Sequence, residues 1–114
     1  MKEIQELIQS FVKSAQYIDD NYMDRVVKTH NSHERNIIKI TDYLEKNGLL
    51  NTLKPLLKHP TNNVRLSAAF CLLPIYEDEA KEVYFEIINM NIPLMSYNAK
   101  ISLEQWEENK KNTQ

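Results

Sequence analysis

The chain has a single glycine among its 114 residues, against an average usage of about 7%. Tight turns between strands usually draw on Gly for its positive φ. A sheet-rich fold is therefore excluded, and few connections between long helices are expected. One glycine also rules out a Gly-rich phosphate loop. One cysteine rules out an internal disulfide and a paired-cysteine zinc site. No run approaches the ~20 apolar residues that cross a bilayer. The opening MKEIQELIQSFVK has charges spaced through it and no apolar core of signal-peptide type. A soluble, cytoplasmic chain is expected. A basic excess is missing too: the net charge is −2 and the pI about 5.9. Nucleic-acid domains usually carry such an excess, so neither nucleic acid nor a membrane is an expected partner.

What is present points to a small globular domain. Hydrophobic residues make up 42%, ordinary for a folded chain, and the length suits one domain. The charge is uneven. Residues 1–60 hold nine Lys/Arg and eight Asp/Glu, a balance of +1; residues 61–114 hold five and eight, a balance of −3.

Hydrophobic spacing then sets out the helices. Ile4, Leu7, Ile8, Phe11, Val12 and Ala15 recur at steps of three and four, which predicts an amphipathic helix over 2–17. Asp19, Asp20 and Asn21 offer N-cap oxygens for a second helix. Its inward positions are Met23, Val26, His30, His33, Ile37, Ile40 and Leu44, and Gly48 stands where a left-handed residue ends a helix. A third helix over 49–58 is interrupted by Pro55, so it begins late or bends. Thr61 is the expected N-cap of a fourth, over 62–75. Glu77, Asp78 and Glu79 favour the start of a fifth, with Ala80, Val83, Tyr84, Ile87 and Ile88 on its core face. After Pro93, Ser96 is placed to cap a last helix carrying Ala99, Leu103 and Trp106. The tail EENKKNTQ should fray.

One segment departs from the amphipathic rule. NNVRLSAAFCLLPI is apolar on nearly every side, whereas a surface helix needs only one apolar stripe. Such a helix expects neighbours on several faces, and an internal repeat supplies them. A shift of 31 residues sets Leu53 on Tyr84, Leu56 on Ile87, Leu57 on Ile88, Val64 on Met95, Ala68 on Ala99, Leu72 on Leu103 and Ile75 on Trp106. Every pair is apolar or small. Two copies of one helix–turn–helix unit, over 49–76 and 78–108, would stack because neither buries its apolar face alone.

The string LKPLLKHPTNNVRLSAAFCL resembles a HEAT repeat through Leu56-Leu57, the turn from His59 to Asn63, Val64-Arg65 and Ala68-Ala69. The chain over 4–108 also resembles a bacterial family of small proteins classified only as a domain of unknown function, number two thousand and nineteen. Leu56-Leu57-Lys58-His59-Pro60, Val64-Arg65, Ala68-Ala69 and Leu103-Glu104-Gln105-Trp106 carry that likeness. The resemblance implies an all-α fold of about six helices. Two HEAT-like units (49–76 and 78–108) would stack behind an N-terminal helix pair (1–48) in a short right-handed superhelix, with 109–114 as a frayed tail. Solenoids usually need about three repeats, so the N-terminal pair acts as the missing layer. Some family members look like immunity partners of secreted bacterial toxins, which implies a protein partner here.

The chemistry-bearing residues are few. His30 and His33 lie three apart with Glu34 beside them, a spacing at which two imidazoles can share a metal. The helical zinc signatures need another order, and no third ligand is obvious. The pair is read as a polar patch in a helix interface, and no metal or cofactor is expected. Cys71 on the all-round apolar helix is read as a small hydrophobe, since a nucleophile needs a base beside it. Arg65 should tie down its adjacent turn or a carboxylate. Tyr17, Tyr22, Tyr43, Tyr76 and Tyr97 fall near helix ends, as core edges with wet hydroxyls or as interface anchors.

The acids are the stronger functional signal. Glu79, Glu82 and Glu86 lie opposite the core face of the fifth helix, and Glu104, Glu107 and Glu108 follow on the last. Such a run is either a solvated face or a patch that receives a basic partner. The sequence therefore points to a non-enzymatic protein–protein interaction module with an acidic partner-binding face. One version is an immunity-type protein that neutralises a basic toxin. A structural subunit of a larger complex and a HEAT-type nucleic-acid-binding or repair protein stay open beside it, as does the oligomeric state.

Overall fold

The computed structural model describes residues 3–23 and 27–112. Among them it has six helices and no strand: α1 (Ile4–Asp20), α2 (Val27–Lys46), a 3₁₀ helix (Leu50–Lys58), α3 (Asn62–Leu72), α4 (Glu77–Met90) and α5 (Met95–Asn112). The fold is all-α, as the single glycine and the apolar spacing predict. Gly48, at φ +68°, ends α2 in the left-handed region as expected.

The N-terminal boundaries differ from the expectation. α1 runs on to Asp20, and Asn21 closes it: both its N–H and its Nδ2 donate to the Tyr17 carbonyl, at 3.1 and 2.9 Å. Asp19 and Asn21 therefore do not cap α2. Met23 is 70% exposed rather than inward, and Val26 lies outside the described residues. Asp19 instead caps a helix 44 positions further on. Its Oδ1 accepts from the Asn63 N–H in the first turn of α3, at 3.0 Å. This is the role expected of Thr61, whose hydroxyl makes no cap bond. Asn63 Nδ2 also donates to the Ala15 carbonyl, at 3.0 Å and buried. α1 lies across the start of α3, so a carboxylate from a neighbouring helix reaches the free N–H first. Asp19→Ala should cost about 1 kcal/mol of stability, and Thr61→Ala much less. Equal losses in thermal unfolding would contradict this assignment.

Pro55 acts more broadly than a bend. Without an N–H, and with a ring that crowds the preceding turn, it favours the tighter 3₁₀ winding over the whole of Leu50–Lys58. Leu50, Leu53, Leu56 and Leu57 are still buried. The helices pack as pairs: α1 on α2, the 3₁₀ helix on α3, and α4 on α5. α3 is the central element, in contact with the 3₁₀ helix, α4, α1 and α5. That answers why its sequence is apolar on so many sides. The residues paired by the 31-residue shift share a setting as well. Leu53 and Tyr84, Leu56 and Ile87, Val64 and Met95, Ala68 and Ala99, and Leu72 and Leu103 are buried in both members. Two pairs differ: Leu57 is buried opposite the half-buried Ile88, and Ile75 is exposed opposite the half-buried Trp106.

Ser96 lies inside α5 rather than before it. Its Oγ accepts from the Ile92 N–H at 2.7 Å and donates to the Ile87 carbonyl at 2.6 Å, which stitches the α4–α5 connection. A second clamp closes the other end of that pair. Glu77 Oε2 accepts from Lys110 Nζ at 2.6 Å and Trp106 Nε1 at 2.7 Å, and lies 3.3 Å from Lys81 Nζ. Lys110 first, then the Trp106 indole, hold the Glu77 carboxyl well below its usual 4.5, at about 2. A carboxyl with a lowered folded pKa contributes stability above the unfolded value and loses it as pH falls towards the folded one. The acid limb of stability between pH 4.5 and 2 should therefore flatten in Glu77→Gln. Acid titration followed by the fluorescence of Trp106, the only tryptophan, reads this directly. Superimposable curves for the two proteins would contradict it.

Candidate functional site: an acidic-rimmed apolar groove over α3

Four neighbours do not cover all of α3. α2 leans on α1 and meets α3 at Thr41, whose Oγ1 lies 3.3 Å from Cys71 Sγ. α5 leans on α4 and touches α3 only lightly. Between α2 and α5 a strip of α3 stays open as a groove of about 550 Å³. That volume is in the range of ligand pockets. Leu66 and Phe70, one helical turn apart, line the α3 strip. Ile37 and Ile38 line the α2 wall, and Leu94 stands at the start of α5. Phe70 is 62% exposed and Ile38 66%. The apolar sequence of α3 leads one to expect neighbours on several faces, and Phe70 stands on a face left open. Periodicity shows that every face of α3 is apolar, but not that one face has no neighbour.

The polar part of the groove is one-sided in charge. Glu34, Asp42 and Glu45 of α2 line it, and no Lys or Arg does. Asp42 pairs with Lys46 at 3.0 Å on the exposed side of the helix. Glu34, Ile38, Asp42 and Glu45 follow one another at steps of four, four and three. That spacing sets them on one helix face, and it is the signal by which the sequence could have given the site away.

Leu94 adds a backbone feature. Its φ of +67° lies in the left-handed region, which a residue with a Cβ enters rarely. Such strain costs on the order of 1–3 kcal/mol and gathers at functional sites.

Two groups in the groove, Cys71 and Tyr84, are shifted towards their protonated forms. Burial pushes the Cys71 thiol up, against a smaller opposing effect of Thr41, so little thiolate is present. Burial likewise raises the Tyr84 phenol to about 12, with Ser102 Oγ 2.8 Å from its oxygen. His30 Nε2 lies 3.2 Å from Glu34 Oε1. His33 turns away to the other side of α2, with Nδ1 3.0 Å from Ser14 Oγ and its ring stacked on Tyr17 at 4.2 Å. The two imidazoles thus have separate partners. No group of three metal-ligating side chains forms among the described residues.

The six acids of the expected patch lie elsewhere, on α4 and α5. Glu79 pairs with Lys54 at 3.0 Å, Glu86 with Arg65 at 3.1 Å, and Glu107 with Lys81. Glu82, Glu104 and Glu108 are exposed and make no ion pair among the described residues. Half of the expected patch is therefore already matched by the protein's own cations. Arg65 acts as expected: its Nε donates to the Leu57 carbonyl at 3.0 Å while Nη2 reaches Glu86. Of the tyrosines, Tyr22 borders the groove and its hydroxyl accepts from Asn98 Nδ2 at 3.0 Å.

The fold recurs in a solved protein. The crystal structure of the protein RPA1889 from Rhodopseudomonas palustris CGA009 is similar, with a TM-score of 0.86 over 95% of this chain and 91% of that one. The two share 22% sequence identity, and the likeness speaks to the fold alone. No family model and no curated protein matches the chain. Among the described residues no helix is long and apolar enough to cross a membrane.

Proposed function

We propose that this protein is a non-enzymatic protein–protein interaction module whose groove over α3 receives a basic, amphipathic helix of a protein partner. The observation that carries this reading is Phe70: a central helix keeps a large aromatic side chain 62% exposed in a concave strip. Exposed apolar surface in a groove marks an interaction site, and aromatic anchors dominate such interfaces. No Lys or Arg lines the groove, and although Lys46 pairs with Asp42 from outside it and His30 lies against Glu34, the carboxylates of Glu34, Asp42 and Glu45 favour a basic occupant. A helix laid in a groove buries its apolar face and keeps its cations at the rim.

The finer parts of the reading rest on the sequence. The matched burial of the two 31-residue-shifted units supports HEAT-like repeats. The likeness to the bacterial family of unknown function supports an immunity-type role against a basic toxin, in the cytoplasm. A second reading, a structural subunit of a larger complex, draws on Phe85 and Tyr97, which are exposed outside the groove.

Affinity capture from the native host tests the proposal with three baits. Wild type and the Glu79→Lys, Glu82→Lys, Glu86→Lys triple variant should retain the same stoichiometric partner. Phe70→Asp should lose it. A partner that survives Phe70→Asp but is lost in the triple variant would move the site to α4 and sink the groove.

A further inference from the structure

The opposite side of α2 carries a second concavity of contrary chemistry. It is a cleft of about 760 Å³ between α1 and α2. Lys13 of α1 and Arg35 and Lys39 of α2 line it, all three exposed, and no carboxylate does. None of these cations makes an ion pair among the described residues. Lys46, Lys54, Arg65, Lys81 and Lys110 each have a carboxylate partner, and what marks Lys13, Arg35 and Lys39 among the unpaired cations is that they line one cleft. Three uncompensated cations facing one cleft raise the local concentration of anions.

The polar groups beneath them are arranged to donate. Asn36 Nδ2 gives its two hydrogens to Ser10 Oγ at 3.0 Å and Ser14 Oγ at 2.9 Å. Each serine accepts from the amide and keeps its own proton. Ser14 is buried, and the one acceptor within reach of its proton is His33 Nδ1, at 3.0 Å. In the tautomer in which Nδ1 accepts from Ser14, the His33 ring carries a proton on Nε2. The Tyr17 ring, stacked at 4.2 Å, holds the imidazole in place. The Ser10 hydroxyl and, in that tautomer, His33 Nε2–H then have no acceptor among the described residues, in a cleft rimmed by three cations.

We propose that this cleft is a phosphate-binding site that takes the dianionic phosphoryl group of a phosphomonoester. The charge fits, because several cations surround a group of two negative charges. The donors fit as well, because a hydroxyl and a fixed imidazole N–H match phosphoryl oxygens, with Arg35 able to bind two of them at once. The site is independent of the groove over α3 and lies across α2 from it.

The test is a titration of the full chain, followed by 15N-edited NMR, with inorganic phosphate and with O-phosphoserine at constant ionic strength. Chloride and sulfate serve as references. Saturable shifts at Ser10, His33 and Arg35 are expected, with sulfate weaker and chloride inert. Preference for O-phosphoserine over inorganic phosphate would assign the natural source to an esterified phosphoryl group, and the reverse to the free ion. Both outcomes support the site. The double variant Arg35→Gln, Lys39→Gln removes two exposed side chains, so its melting curve should match wild type while phosphate binding falls roughly tenfold or more. Ser10→Ala should weaken binding less. The proposal is overturned by shifts that stay linear to tens of millimolar, by a double variant that binds like wild type, or by chloride competing as well as phosphate. Tighter binding of a single-stranded oligonucleotide than of either phosphomonoester probe would also overturn it, in favour of a phosphodiester surface.

Discussion

Phe11→Ala is expected to cost about 3–5 kcal/mol of stability, and Phe70→Ala less than about 0.5 kcal/mol. The two residues have the same side chain and sit on helices that pack against each other. Phe11 has no exposed surface and belongs to the continuous core that α1 shares with α3. Its removal forfeits the transfer of a full aromatic ring and leaves a cavity that the neighbouring helices cannot fill without shifting. Domains of this size have a total stability of roughly 5–15 kcal/mol, so the variant should melt at least about 10 °C lower. Phe70 is 62% exposed, and little burial is lost when it is cut back. Paired thermal melts of the two variants decide the matter. A loss at Phe70 as large as that at Phe11 would mean that the strip is covered in solution, and the open groove would be wrong.

The same pair shows what could be read from the sequence. Periods of three and four locate α1 and the core face of α4, because each has one apolar stripe, and those stripes face the core, with Ile4, Ile8, Val12 and Ile88 half-buried at its edge. They fail for α3, where all faces are apolar and only tertiary packing decides which is left open. The 3₁₀ winding was half legible: Pro55 announces a disturbance, but not that it extends over Leu50–Lys58. The cap of α3 was hidden for a different reason. Propensity treats Thr61 as the local candidate, whereas Asp19 reaches Asn63 from 44 positions away. The acids misled in a similar manner. Glu79, Glu82 and Glu86 look like a free patch when only their own helix is considered. Lys54 and Arg65 come from other elements and match two of them. Glu34, Asp42 and Glu45 are spread among apolar and basic neighbours in sequence and converge only once α2 is wound.

Reversing those three carboxylates should be the strongest perturbation of recognition that leaves the fold intact. The variant Glu34→Lys, Asp42→Lys, Glu45→Lys is expected to bind the partner about 10- to 100-fold more weakly, mostly through a slower association rate. All three side chains are exposed, so the melting curve should shift little. Phe70→Asp should act on the other rate constant, since an anchor lost from the centre of an interface speeds dissociation. Salt separates the two effects. The Debye length falls from about 10 Å at 0.1 M to about 3 Å at 1 M, so association of wild type should slow steeply with ionic strength and that of the reversed variant should not. A control with Glu104→Lys, Glu107→Lys and Glu108→Lys changes the net charge by the same amount on α5. If recognition depends on the groove rim, this control keeps most of the wild-type association rate. Equal losses from both triple variants would mean that net charge alone attracts the partner, and the acids of α2 would have no special place in its recognition.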